Sequence, residues 1–96
     1  MNMREIQKMQ QRLVKMQEEL EATQFTGTAG GGAVTITLSG KFEVTSVKID
    51  PEAFNAEDIA ELEVMVLAAY KAAYEKVSEA QQKMSSSLTG GMKIPG

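Results

Sequence analysis

Apolar and polar positions alternate with two periods along this chain, and the change of period marks its elements. Ile6, Met9, Leu13, Met16 and Leu20 recur at steps of three and four. That spacing is the a/d seam of a helix lying against another helix. Between them stand Gln, Glu, Lys and Arg, all good helix formers, with no Gly or Pro. The pattern predicts a first helix from about Asn2 to Gln24. From Phe25 the period falls to two. Phe25 to Ala29 reads as a short strand, and Gly30-Gly31-Gly32 as a turn. In Ala33 to Ser39, Val34, Ile36 and Leu38 alternate with Thr35, Thr37 and Ser39, the signature of a half-buried strand. Gly40-Lys41 makes a tight turn into a third strand, Phe42 to Ile49. Its apolar parity changes between Phe42/Val44 and Val47/Ile49, which places a bulge near Thr45-Ser46.

Asp50-Pro51 ends the sheet segment. Asn55 is the expected N-cap of a second helix over Ala56 to Met84, with Asp58 completing a capping box. Ile59, Leu62, Val66, Ala69, Ala73, Val77, Ala80 and Met84 form its apolar stripe. Val64, Met65 and Leu67 lie off that stripe, so the helix is apolar on two sides and calls for two covers. One is its own sheet; a second subunit is the simplest other. The fold class expected is α+β, in the order α-β-β-β-α, with a three-stranded antiparallel sheet flanked by two long helices. Residues 1–84 form one domain, and 85–96, with Ser85-Ser86-Ser87, Gly90-Gly91 and a terminal Pro95-Gly96, form a mobile tail. There is no internal repeat.

Lengths add a mechanical expectation. At 1.5 Å per residue the helices run about 35 and about 43 Å, against about 20 Å for a six-residue strand. The start of the first helix and the end of the second are expected to overhang the sheet together as a two-helix arm, the seam meeting Val77, Ala80 and Met84.

Charge changes the picture next. The chain carries −3 overall, yet residues 1–15 hold Arg4, Lys8, Arg12 and Lys15 against one acid, Glu5, so the remainder stands at −6. At 100° per residue these cations fall within an about 80° sector, separate from the seam. Lys76 and Lys83, near the end of the second helix, extend the basic surface. Cations on an outer helix face are most often plain solvated surface. Here, however, they sit in the first turns while Glu18, Glu19 and Glu21 sit in the last, the reverse of what the helix dipole favours. A departure from a local rule is often functional. Lysine and arginine that neutralise phosphates release counterions, giving salt-sensitive, sequence-tolerant affinity for DNA.

Other chemistry is thinly supplied. The chain has no Cys and no His. Disulfides, thiolate or imidazole metal sites and Ser–His or Cys–His nucleophiles are thereby excluded. No acidic pair suggests carboxylate catalysis, so neither enzyme activity nor a cofactor is expected. The triple glycine is followed by neither Lys-Ser/Thr nor a helix, so it is a turn and not a phosphate loop. The N-terminus lacks a secretory apolar core, and the longest apolar run, Val64 to Tyr70, is far short of the about 20 residues of a membrane span. A cytoplasmic protein is expected, with no membrane partner and no small-molecule substrate.

From Phe25 onward the sequence resembles the YbaB/EbfC family of nucleoid-associated DNA-binding proteins. The resemblance is carried by FTGTAGGGAVTITLSG (Phe25 to Gly40), VKIDP (Val47 to Pro51), LEVMVLAAYKAA (Leu62 to Ala73) and SSSLTGGMKIPG (Ser85 to Gly96), together with the Met/Gln-rich first helix. It spans nearly the whole chain in order. It implies a tweezer-shaped homodimer in the bacterial nucleoid that binds double-stranded DNA through projecting helices. By location and charge, the DNA-binding residues it implies are Arg4, Lys8, Arg12 and Lys15, with Lys76 and Lys83. The chain departs from the family pattern at Glu63-Val64-Met65 and at Lys71. A helix–hairpin–helix order is also similar to prefoldin subunits, so a protein-binding or chaperone-like coiled-coil clamp is the alternative.

Overall fold

A computed structural model describes residues 2–88. Its elements are α1 (Met3–Ala22), β1 (Gln24–Ala29), β2 (Val34–Ser39), β3 (Val44–Ile49), a single 3-10 turn (Ala56–Asp58) and α2 (Ile59–Leu88). The α-β-β-β-α order and the antiparallel meander β1-β2-β3 are as the pattern requires. α2 runs four residues past the expected Met84 and takes in Ser85 to Ser87. The rest of the expected tail, 89–96, lies outside the described residues.

The sheet has a polar face and an apolar one. Val34, Ile36 and Leu38 of β2 are buried beneath α2 with Ala69, Ala73 and Val77. Phe25, Ala29, Phe42, Phe54 and Tyr70 close the edges of this core. Alanines on α2 let the helix come down close to β1. A side chain at Gly27 would run into the backbone of Ala69 and Ala73. The other face is lined with hydroxyls: Thr26 and Thr37 stand 3.3 Å apart across the β1–β2 pair. The predicted bulge is present. β2 pairs Thr37 with Ser46 and Leu38 with Val44, so Thr45 is the extra residue. Its hydroxyl donates to Gln24 Oε1 at 2.6 Å. Phe42, expected in β3, instead sits in the turn with φ 65°, in the left-handed region where side chains are costly. Its ring packs on Tyr74 at 4.6 Å, which offsets that cost.

At the head of α2, Asn55 N–H donates to Asp58 Oδ2 at 3.0 Å, and Asp58 N–H donates to the Asn55 carbonyl at 2.9 Å. These bonds occupy donors that a helix start leaves open.

Candidate nucleic-acid interface

α1 begins at a well-made cap. Asn2 Oδ1 accepts from Glu5 N–H at 3.0 Å, satisfying one of the orphan donors of the first turn. It ends where Thr23 N–H closes on the Leu20 carbonyl. There the chain turns at once into β1, and Leu20 backbone rests against Gly40, where any Cβ would strike the Leu20 carbonyl. Gln81 of α2 donates to the Gly40 carbonyl at 3.0 Å. This knot is the base of the arm.

Beyond the base α1 is bare. Asn2 to Lys15 are all exposed; only Met16, Leu20 and Glu21 are half-buried, and no α1 residue is buried. From Leu20 back to Met3 the helix reaches about 26 Å past the base, within a molecule 66 Å long and 15 Å thin. The two-helix arm expected from element lengths is therefore corrected. Val77 is in the core with Leu38 and Ala73, α2 meets the base of the arm at Gln81, and beyond it α2 runs on only to Leu88, with Met84 half-buried. The six-residue strands underlie α2 from Met65, near Gly30, to Gln81, at Gly40, so little of α2 remains to overhang. The seam residues Ile6, Met9 and Leu13 are left 38 to 49 % exposed.

The four predicted cations of α1 stand on this bare segment. Among the described residues no ion pair engages Arg4, Lys8, Arg12 or Lys15. Glu18, Glu19 and Glu21 lie toward the base. The two lysines of α2 are placed differently. Lys76 donates to the Thr26 carbonyl of the edge strand β1 at 2.6 Å. Lys83 lies 3.6 Å from Glu79. Together with Phe25 and Ala80 they line a cleft beside β1, so they belong to the sheet edge more than to the arm.

Sequence reasoning missed a row of exposed glutamines next to the cations. Gln7, Gln10, Gln11, Val14, Lys15 and Glu18 line a shallow depression along α1. The signal was the sequence itself, once α1 is known to lack a neighbour on that side. A second feature lies on the core. The apolar side of β3, with Val44, Val47 and Ile49, is 42 to 51 % exposed, because α2 covers β1 and β2 instead. Val64, Leu67 and Tyr74 of α2 are also exposed. Among the described residues no helix is long and apolar enough to cross a membrane.

Comparison with known proteins identifies the family and the fold. The model of the YbaB/EbfC DNA-binding family matches residues 1–92. A nucleoid-associated protein of Clostridium acetobutylicum is 42% identical over 93 residues, covering 97% of this chain and 83% of that protein. One from Pelotomaculum thermopropionicum is 43% identical over 94 residues, covering 98% and 90%. Among solved structures, an uncharacterised protein of Helicobacter pylori superposes with a TM-score of 0.76 at 21% identity, covering 94% of this chain and 99% of that one; this likeness concerns the fold alone. On the strength of the family match along almost its entire length, the chain belongs to the YbaB/EbfC DNA-binding family.

Proposed function

We propose that this protein is a non-catalytic, nucleoid-associated DNA-binding protein that holds duplex DNA with the α1 arms of a homodimer. The observation that carries the reading is the bare arm: four exposed cations within about 80° of one another, on a chain whose remainder is strongly acidic. An acidic body repels a polyanion and a cationic tip attracts it, so the contact is confined to the tip. Arg4, Lys8, Arg12 and Lys15 are the principal phosphate contacts. Lys76 and Lys83 contribute less, being already engaged at the Thr26 carbonyl and Glu79.

The homodimer is supported by the uncovered apolar side of β3 and the flank of α2. Val44, Val47 and Ile49 pair with Leu38, Ile36 and Val34 across the β2–β3 ladder, so they point to the same side as α2. Tyr74 reaches Phe42 at the β2–β3 turn, which sets that flank of α2 beside β3. A trough of this composition on a small domain is a subunit contact in the making. A symmetric pair that covers it with α2 of each copy gives the DNA two arms instead of one.

A salt titration of binding to random duplex tests the reading. The wild type is expected to lose affinity steeply with salt, and the quadruple variant R4E/K8E/R12E/K15E to lose binding while keeping its helical circular dichroism. A folded quadruple variant that binds equally well overturns the assignment. The bare seam of Ile6, Met9 and Leu13 favours the clamp reading instead if the protein holds unfolded polypeptide and ignores DNA.

A further inference from the structure

Viewed down its axis at 100° per residue, α1 has two opposed faces. The back is the apolar seam. At the centre of the front stand Gln11, Arg4 and Lys15, within about 40° of one another. Lys8 and Arg12 flank them on one side, Gln7 and Val14 on the other. All seven are exposed. Glu5, the one acid of this stretch, lies toward the seam on the Lys8–Arg12 side.

A grip on phosphates alone accounts for Arg4 and Lys15 but has no use for Gln11, Gln7 or Val14. Glutamine carries no charge and releases no counterion. Its amide does offer a donor beside an acceptor, the pattern that pairs with adenine N6 and N7 in the major groove; arginine pairs likewise with guanine O6 and N7. Val14 adds an apolar surface suited to a thymine methyl. Neutral readers beside a row of cations are what a helix seated in a groove presents, with base edges under one side and a phosphate row under the other.

Access agrees. A helix is about 10–12 Å across with its side chains, which fits the about 12 Å major groove and is far too wide for the about 6 Å minor groove. A second helix alongside would prevent entry. No helix of the same chain lies there: within it Asn2 to Lys15 are exposed throughout, and the half-buried positions of α1 begin at Met16. The acids Glu18, Glu19 and Glu21 stand at the base, where they repel phosphate and leave the tip as the inserted part.

We propose that the front face of α1 enters the major groove of duplex DNA, and that Gln11, with Arg4 and Gln7 beside it, reads base edges there. The inference rests on the DNA-binding reading above and adds to it a base preference. Binding is compared on two duplexes of the same sequence and phosphate charge, one with ordinary cytosine and one with glucosylated 5-hydroxymethylcytosine, which fills the major groove. Selection from a random duplex pool is run in parallel with wild type and with Q7A/Q11A. Alanine favours helix, so α1 stays formed in the variant. Glucosylation is expected to weaken binding by about tenfold or more, the effect of one good bidentate base pairing removed. A minor-groove ligand such as netropsin is expected to change it little. Q7A/Q11A is expected to bind the duplexes that wild type selects about tenfold more weakly, down to its affinity for the unselected pool, and to lose the bases that wild type enriches. Equal binding to plain and glucosylated duplex, or the same enriched bases with wild type and variant, overturns the inference while leaving the arm as a phosphate grip. Failure to bind any duplex at low salt overturns the DNA-binding reading and this one with it.

Discussion

Gly27 sets the distance between sheet and helix. With no side chain, β1 approaches α2 until Ala69 and Ala73 backbone atoms fill the space a Cβ would need. Gly27→Ala therefore forces the two layers apart, and is expected to cost about 2–3 kcal/mol, read as a lower urea midpoint with an unchanged m-value. The opposite defect, Leu38→Ala, empties the position of the largest fully buried side chain and is expected to cost about 3–4 kcal/mol. Of these two positions the sequence disclosed only one. Leu38 announces itself by alternation with Thr37 and Ser39. Gly27 stands inside Phe-Thr-Gly-Thr-Ala and looks like any glycine in a weak strand, because the reason for it lies far along the chain, at Ala69 and Ala73 of α2. Phe42 was hidden in the same way. Its aromatic ring reads as strand, yet its place is the turn, held by Tyr74.

Among the elements, the two helices have opposite sources of stability. α2 is held by burial, with Ala69, Ala73 and Val77 fully covered. α1 has no fully buried residue and is half-buried only at Met16, Leu20 and Glu21, so its stability rests mainly on propensity, its cap and whatever a partner supplies. Asn2→Ala removes the bond to Glu5 N–H and is expected to cost α1 about 1 kcal/mol, read as reduced helical circular dichroism without a change in core stability. The periodicity disclosed both helices, the three strands and the bulge. It left the relative placement of the helices open. Rise per residue gives lengths, but where the sheet falls along α2 depends on which alanines meet Gly27, and that pairing moved Val77 from the expected arm into the core. The cations of α1 were legible from spacing alone. Lys76 was not: its bond to Thr26 joins residues fifty positions apart and blunts the open edge of β1.

For the whole molecule, the decisive quantity is the uncovered apolar surface of β3 and α2. Val47→Glu puts a charge in the middle of it and is expected to convert the proposed dimer to monomer by light scattering, with the sheet intact because Val47 is half exposed already. DNA affinity is expected to fall with it, since one arm does the work of two. The salt dependence gives a separate check on the arm. Each cation withdrawn from a phosphate is expected to lower the slope of log affinity against log salt by about 0.9. Arg12→Gln, read by fluorescence anisotropy, is therefore expected to change the slope by about that amount and to leave the dimer untouched.

The small knot at Gly40 gives the molecule a lever. Leu20 rests on Gly40, and Gln81 ties the same residue to α2, so the direction of α1 is decided about 26 Å from its tip. A tilt of about 10° there sweeps Arg4 through about 4–5 Å, comparable with the pitch of a helical turn. Gly40→Ala pushes against Leu20 at that fulcrum. It re-aims the cations without touching one of them, so in the proposed dimer the spacing between the two tips, and with it the width of polyanion they would span, is tuned from a residue away from the proposed contact.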